Sequence, residues 1–471
     1  VAEKTVKKEN VFTKIGGFFR WIGNDIKAIG TTFKEGDWRT RVSYLIPGFG
    51  QLTRGQFVVG LFILAIEALL LWFIIGFGWQ YLKDIATLGT QGRTTNPDGT
   101  VTYGDNSFFI LLWSIVTIIA ILAYLLIWRI NLASNKKEQN LLKEGKKLPS
   151  NKDAIKSLFD ENFDKTLLAL PCAGIFVFTV VPIIFMICVA FTNFDATHQP
   201  PSKLFTWVGF ENFKNLMSIG GGTSASFSKT FGIILAWTLV WAFFATFLNY
   251  FVGMAIAILI NKKGIKFKKL WRTILVLTIA VPQFVSFLYV SKMFAADGLI
   301  NMALMRWGWI QEAIPFWTNK NYARVLVILI NLWCGVPYTM LIVTGLLMNI
   351  PADLYESAKI DGATGWQMFA HITLPYMLFV TGPFLLTQFT FNLNNFNTVY
   401  LLTQGGPKSI KLNGGAGYTD ILITWLYKLT VNDTNYKMAA VIGIMVFVVV
   451  AGVSLIVYNM LPSVKDEEGF Q

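Results

Sequence analysis

Charge is scarce in this sequence, and its absence is concentrated. Asp, Glu, Lys and Arg make up 14% of the 471 residues, and the stretches 231–260, 273–291, 325–350 and 376–407 hold no Asp, Glu, Lys, Arg or His. A proton- or ion-coupled carrier normally needs such groups along its pathway, since an intramembrane charge is expensive and marks function. An ionic solute would usually need a counter-charge there as well. Cysteine is nearly missing: Cys172, Cys188 and Cys334 lie inside apolar runs, an odd number without paired spacing, which argues against disulfides and against a metal site. The two histidines, His198 and His371, are too far apart in sequence to suggest a ligand cluster. There is no Gly-x-x-x-x-Gly-Lys-Ser/Thr loop for a nucleotide phosphate, because the Gly145-Lys146 pair has Asn140 where the first glycine should stand. No catalytic constellation stands out, so the chain does not read as an enzyme.

What is present is apolar. Hydrophobic residues account for 54% of the chain and aromatic ones for 15%, far too much for a soluble protein of this length. Several uncharged runs exceed the roughly 20 residues needed to cross a bilayer. The pattern predicts an all-α polytopic membrane protein of about eight transmembrane helices, near 56–78, 107–130, 166–192, 231–260, 272–294, 324–349, 374–396 and 437–460. The net charge of +13 does not point to nucleic acid, because the cations sit in particular connections. Lys136, Lys137, Lys143, Lys146 and Lys147 follow the second span, and Lys262, Lys263, Lys266, Lys268 and Lys269 follow the fourth, whereas 79–106 offers only Lys83 and Arg93. By the positive-inside rule both basic loops, residues 350–373 and the two termini are cytoplasmic. The expected parts are a basic arm at 1–55, two accessory spans at 56–130, a cytoplasmic linker at 131–165 and a six-span core at 166–471. Phe18, Phe19, Trp21 and Ile22 give the arm an apolar side suited to anionic lipid, and a solvated tail that only sets orientation is the other reading. Glu67 falls mid-span, where a lone charge costs about 2.5–3.5 kcal/mol, so a neutral or hydrogen-bonded carboxyl is expected.

One soluble-looking segment lies between two apolar runs. Pro351 and Asp353 suit a first helical turn, Gly362 suits a left-handed stop, and Trp366 and Phe369 fall on one face of a second short helix that ends near Pro375. Glu356, Ala358, Gly362, Ile372, Leu374 and Pro375 fit, without a gap, the Glu-Ala-Ala, three residues, Gly, nine residues, Ile, one residue, Leu-Pro signature of permease subunits in ATP-binding-cassette importers. Ser357 replaces the first alanine of that signature. In that family the loop docks into a cleft on the ATPase. The resemblance therefore assigns ATPase coupling to Glu356, Ser357, Ala358, Asp361 and Gly362.

The uncharged spans do carry neutral polar groups among aromatics: Asn331, Trp333 and Tyr338, then Gln388, Phe391, Asn392, Asn394 and Asn395. Amides donate and accept, so they match hydroxyls, and flat rings cover the apolar faces of a sugar. Intramembrane Asn and Gln also join helices by hydrogen bonds, so both roles stay open for each amide. Gln388, Asn392 and Asn395 share one helical face and form the candidate pathway lining. Asn331–Tyr338, Phe389–Phe396, Leu402–Pro407 and Ala416–Asp420 resemble the MalF-type permease of maltose/maltodextrin importers, clearly from about 166 onward. That resemblance implies sugar contacts at Asn331, Gly335, Tyr338, Phe391, Asn392 and Asn395. Cys334, Gln388 and Ile279 depart from the residues familiar there, which leaves the preferred sugar open. It further implies a second, G-type permease, two ATPase subunits carrying ATP and Mg, and an extracellular sugar-binding protein. The short 193–230 loop fits a lipid-anchored form of that protein. The rival readings are a permease for another neutral oligosaccharide, an ion-coupled carrier working alone, and a membrane scaffold or sensor that moves nothing.

Overall fold

In lipid an unpaired backbone amide has no water to turn to, so apolar runs of this length satisfy themselves as helices. The computed structural model describes residues 11–217, 223–262 and 264–460. Among them, seven helices are long and apolar enough to span a bilayer: Phe57–Leu82, Ser107–Lys143, Phe163–Val189, Phe227–Asn261, Lys320–Leu347, Gly365–Leu393 and Tyr436–Met460. The expected span at 272–294 is not one helix. It is the pair Lys268–Ala280 and Gln283–Met293, bent by 90°. Pro282 is the reason, since it has no N–H to continue the ladder and drives Val281 into an extended conformation.

The chain forms two compact units, residues 1–188 with 198–207, and 189–197 with 208–471. In the first unit, Ser107–Lys143 has 37 residues, about 55 Å of helix against a hydrocarbon layer of about 30 Å, so its last turns stand clear of lipid. The basic N-terminal stretch folds back onto those turns. A helix at Val11–Glu35 pairs Asp25 with Arg129 at 2.5 Å and Glu35 with Lys136 at 3.5 Å. This contact is neither of the two readings made from sequence, although residues 1–10 and the side chains of Phe18, Phe19, Trp21 and Ile22 lie outside the described residues. Below it Arg54 is fully buried, donating to Asp37 Oδ1 and Thr40 Oγ1 at 2.8 Å and to Asn135 Oδ1 at 2.5 Å. Burial works against the Asp37 carboxylate, yet the bonds from Thr40 and Arg54 outweigh it and hold its pKa below the usual range. Glu67 is 1% exposed and neither carboxyl oxygen has a hydrogen-bond partner among the described residues, so of the two expectations, a neutral or a hydrogen-bonded carboxyl, the second is not found there.

The second unit carries two apolar clusters. One gathers Trp237, Trp241, Ala245, Phe287, Ile330 and Val399. The other gathers Tyr250, Met254, Met340, Val343, Met377 and Leu385. A polar cavity takes part of its wall from each.

Candidate functional site

The cavity holds about 420 Å³, within the roughly 300–1,000 Å³ of small-molecule sites. Asn331, Gly335 and Tyr338 reach it from Lys320–Leu347, and Gln388, Phe391 and Asn392 from Gly365–Leu393. Asn395 joins from just beyond that helix, so every residue chosen from sequence for the cavity lines it. Trp333 and Asn394 do not. No lining side chain is ionisable at neutral pH, and Tyr338 and Phe391 offer half-exposed rings. The bent pair contributes Thr278, Gln283 and Ser286, which the break at Pro282 turns toward the cavity.

The amides divide by what else they do. Asn392 donates from Nδ2 to Thr246 Oγ1 at 3.0 Å, and its main-chain carbonyl accepts from Trp241 Nε1 at 3.1 Å. Asn395 accepts from the Thr398 amide at 3.3 Å and hydroxyl at 3.1 Å, capping the helix Phe396–Thr403. Its neighbourhood with Asn392 does not come from a shared helical face, because the helix stops at Leu393. Asn392 therefore joins two helices and Asn395 caps one, while both line the cavity. The Asn331 and Gln388 side chains make no hydrogen bond among the described residues, and their donors and acceptors are free for a ligand. Gly335 is there for closeness: a Cβ on it would lie 2.6 Å from Asn249 Nδ2. Sequence reasoning missed Asn249, whose Oδ1 is buried without a partner at the cavity wall. Its isolation in an apolar run was the only available sign. A larger cavity of about 700 Å³, lined by Phe243, Phe247, Phe379, Phe389 and Val453 among others, has no polar side chain and cannot match hydroxyls.

The segment between the two cavity-lining helices is exposed. Pro351 is the N-cap, one position earlier than expected, of the helix Ala352–Ile360. Gly362, at φ +80°, ends it: its amide bonds Lys359 O at 3.1 Å and the Ala363 amide bonds Ala358 O at 2.9 Å, a complete Schellman stop. Glu356, Ser357, Asp361 and Gly362 are exposed, Ala358 half-buried, and Ile360 and Trp366 stand in solvent at 86% and 73% exposure. The expected second short helix is not separate. Thr364 and Gln367 form a capping box, and the helix runs on through Pro375 as Gly365–Leu393. A π turn at Phe369–Thr373 precedes Pro375, where the regular ladder would otherwise demand an N–H. Tyr355 OH meets Thr373 Oγ1 at 2.8 Å and ties the exposed helix to this rod, a link that sequence reasoning did not identify.

Residues 249–466 match the model of the binding-protein-dependent transport system inner membrane component family. The chain is 36% identical over 425 residues to the galactooligosaccharides transport system permease protein GanP of Bacillus subtilis, covering 90% of this chain and 97% of that protein. The chain belongs to this family of permeases. It is also 36% identical over 436 residues to the maltodextrin transport system permease protein MdxF of the same organism, covering 90% of this chain and 95% of that one. A crystal structure of a bacterial ABC transporter involved in the import of the acidic polysaccharide alginate shares the fold, at TM-score 0.54 and 23% identity, covering 66% of this chain and 99% of its own. As an inner-membrane permease component the chain is a transport subunit and not an enzyme.

Proposed function

We propose that this permease conducts a neutral oligosaccharide, a malto-oligosaccharide first of all, through the cavity between Asn331 and Gln388. The observation that carries the reading is the connectivity: the two helices supplying the free amides are the two that the exposed Ala352–Ile360 segment joins. Free amides and open rings without charge suit hydroxyls and sugar faces, and they offer an ion no counter-charge.

In this reading the basic connections and Ala352–Ile360 face the cytoplasm, as do both termini. Glu356, Ser357 and Asp361 supply polar contacts to an ATPase, while Ala358 and Gly362 allow close approach. Two ATPases bind ATP and Mg, a second permease completes the pathway, and an external, lipid-anchored binding protein delivers sugar. When ATP draws the ATPases together, the docked segment moves, and with it the Gly365–Leu393 rod. From Gly365 to Gln388 that rod spans about 35 Å, enough to carry a displacement from the surface to the cavity.

GanP, as similar as MdxF, supports galacto-oligosaccharides as the second substrate class. The test is ATPase activity of the complex in nanodiscs, with binding protein and both sugar series. Stimulation by maltose or longer glucans is expected. Stimulation by galacto-oligosaccharides alone would keep the importer and replace the substrate, and failure of the complex to assemble would overturn the reading.

A further inference from the structure

The stretch 404–421 follows the helix Phe396–Thr403 and lies against Lys320 and Arg324, at the end of Lys320–Leu347 away from the coupling segment, so on the orientation proposed above it is external. It is pinned from inside. Lys428 Nζ meets Asp420 Oδ2 at 2.6 Å with both side chains buried, and the indoles of Trp237 and Trp425 donate to Thr419 O at 3.1 Å and Gly414 O at 3.0 Å. A loop held this way presents its tip in one fixed shape. The tip is a turn closed by the Leu412 amide on Ser409 O at 3.1 Å, and it carries Ile410 fully exposed between exposed Lys408 and Lys411.

Two further cations converge on the same place. Lys320 Nζ lies 5.6 Å and the Arg324 guanidinium 6.0 Å from the ring of Tyr418, and Arg324 Nε donates to Tyr418 O at 2.8 Å. Among the described residues none of these four cations forms an ion pair. The hydrogen bond from Ser409, followed by Lys320, Lys411 and Arg324, keeps the Tyr418 phenol below its ordinary pKa despite some burial. External cations run against the positive-inside bias, and here they are grouped, uncompensated and built on a rigid loop. An exposed isoleucine between two unpaired lysines, with Lys320 on the neighbouring Tyr418 ring, has the make-up of a docking point for an acidic surface with an apolar hollow.

We infer that Ile410, Lys408, Lys411 and Lys320 dock an acidic face of the sugar-loaded binding protein. The inference rests on the importer reading and locates its external partner on this chain.

The experiment titrates loaded binding protein against ATPase activity of the complex in nanodiscs, for wild type, Lys408→Glu/Lys411→Glu, Ile410→Asp and Lys408→Arg/Lys411→Arg. Intact assembly of each variant is checked by size-exclusion chromatography. The two disruptive variants should raise the half-saturating concentration of binding protein at least tenfold and leave maximal turnover near wild type. The wild-type value should rise with salt, and the arginine pair should behave as wild type. Unchanged titration and salt dependence in the charge-reversed variant would overturn the docking site and leave the importer standing. An effect seen only in nanodiscs of anionic lipid would assign the cations to headgroups and overturn it too. Wild type unresponsive to every binding protein and sugar would overturn both inferences.

Discussion

At the scale of single residues, the cavity's amides look alike in sequence and differ in their bonds. Among the described residues the Asn331 and Gln388 side chains are free, whereas the Asn392 side chain is engaged with Thr246. Asn331→Ala and Gln388→Ala should therefore each raise the sugar concentration needed for half-maximal transport about three- to tenfold, the worth of one neutral hydrogen bond, with unchanged thermal stability. Asn392→Ala should instead destabilise the folded protein by about 0.6–1.7 kcal/mol, the range for an intramembrane hydrogen bond, and lower its melting temperature in detergent. Uptake titrations alongside thermal melts separate the two roles; equal effects of all three substitutions on both readouts would refute the division. Composition marked these side chains because uncharged polar residues are conspicuous in apolar runs, and the resemblance to MalF-type permeases is what set Asn331 beside Asn392. They did not reveal which amides were already occupied, since the partners Thr246 and Thr398 lie elsewhere in the chain or look like ordinary threonines. Asn249 shows the same limit, being one polar residue without spacing to recommend it.

At the scale of elements, the exposed Ala352–Ile360 helix was legible because its stop signal is local. Gly362 adopts φ +80°, and apart from its two chain neighbours no atom of the described residues lies within 4 Å of where its Cβ would be. A side chain there would cost about 1–2 kcal/mol in backbone strain without a clash inside the chain. Gly362→Val should thus leave membrane insertion intact and reduce binding-protein-stimulated ATPase activity at least tenfold. Tyr355→Phe, which loses only the bond to Thr373, should weaken the link between hydrolysis and uptake more mildly, by two- to fivefold in sugar moved per ATP. Full coupling in both variants would remove this segment from the mechanism. The break at Pro282 and the continuity through Pro375 were read the other way round from sequence. Proline alone says that an N–H is missing; a neighbouring extended residue makes a corner at Pro282, and a π turn absorbs Pro375 within the rod. Those choices depend on what packs nearby, which the local sequence does not contain.

At the scale of the molecule, the decisive property is the uncharged path. Membrane class and the approximate spans were legible, since apolar length and cation placement act along the chain. The fold-back of Val11–Glu35 onto Arg129 and Lys136 was not, because it pairs groups roughly a hundred residues apart. The ATPase coupling proposed above needs no proton or sodium site in the cavity, and no Asp, Glu, Lys, Arg or His lines it. The most direct measurement is uptake of radiolabelled malto-oligosaccharide by proteoliposomes holding the assembled complex, with loaded binding protein outside and ATP inside. Accumulation should require both ATP and binding protein and should persist when proton and sodium gradients are collapsed by ionophores. Uptake that continues without ATP, or that stops when those gradients are collapsed at constant ATP, would contradict the account.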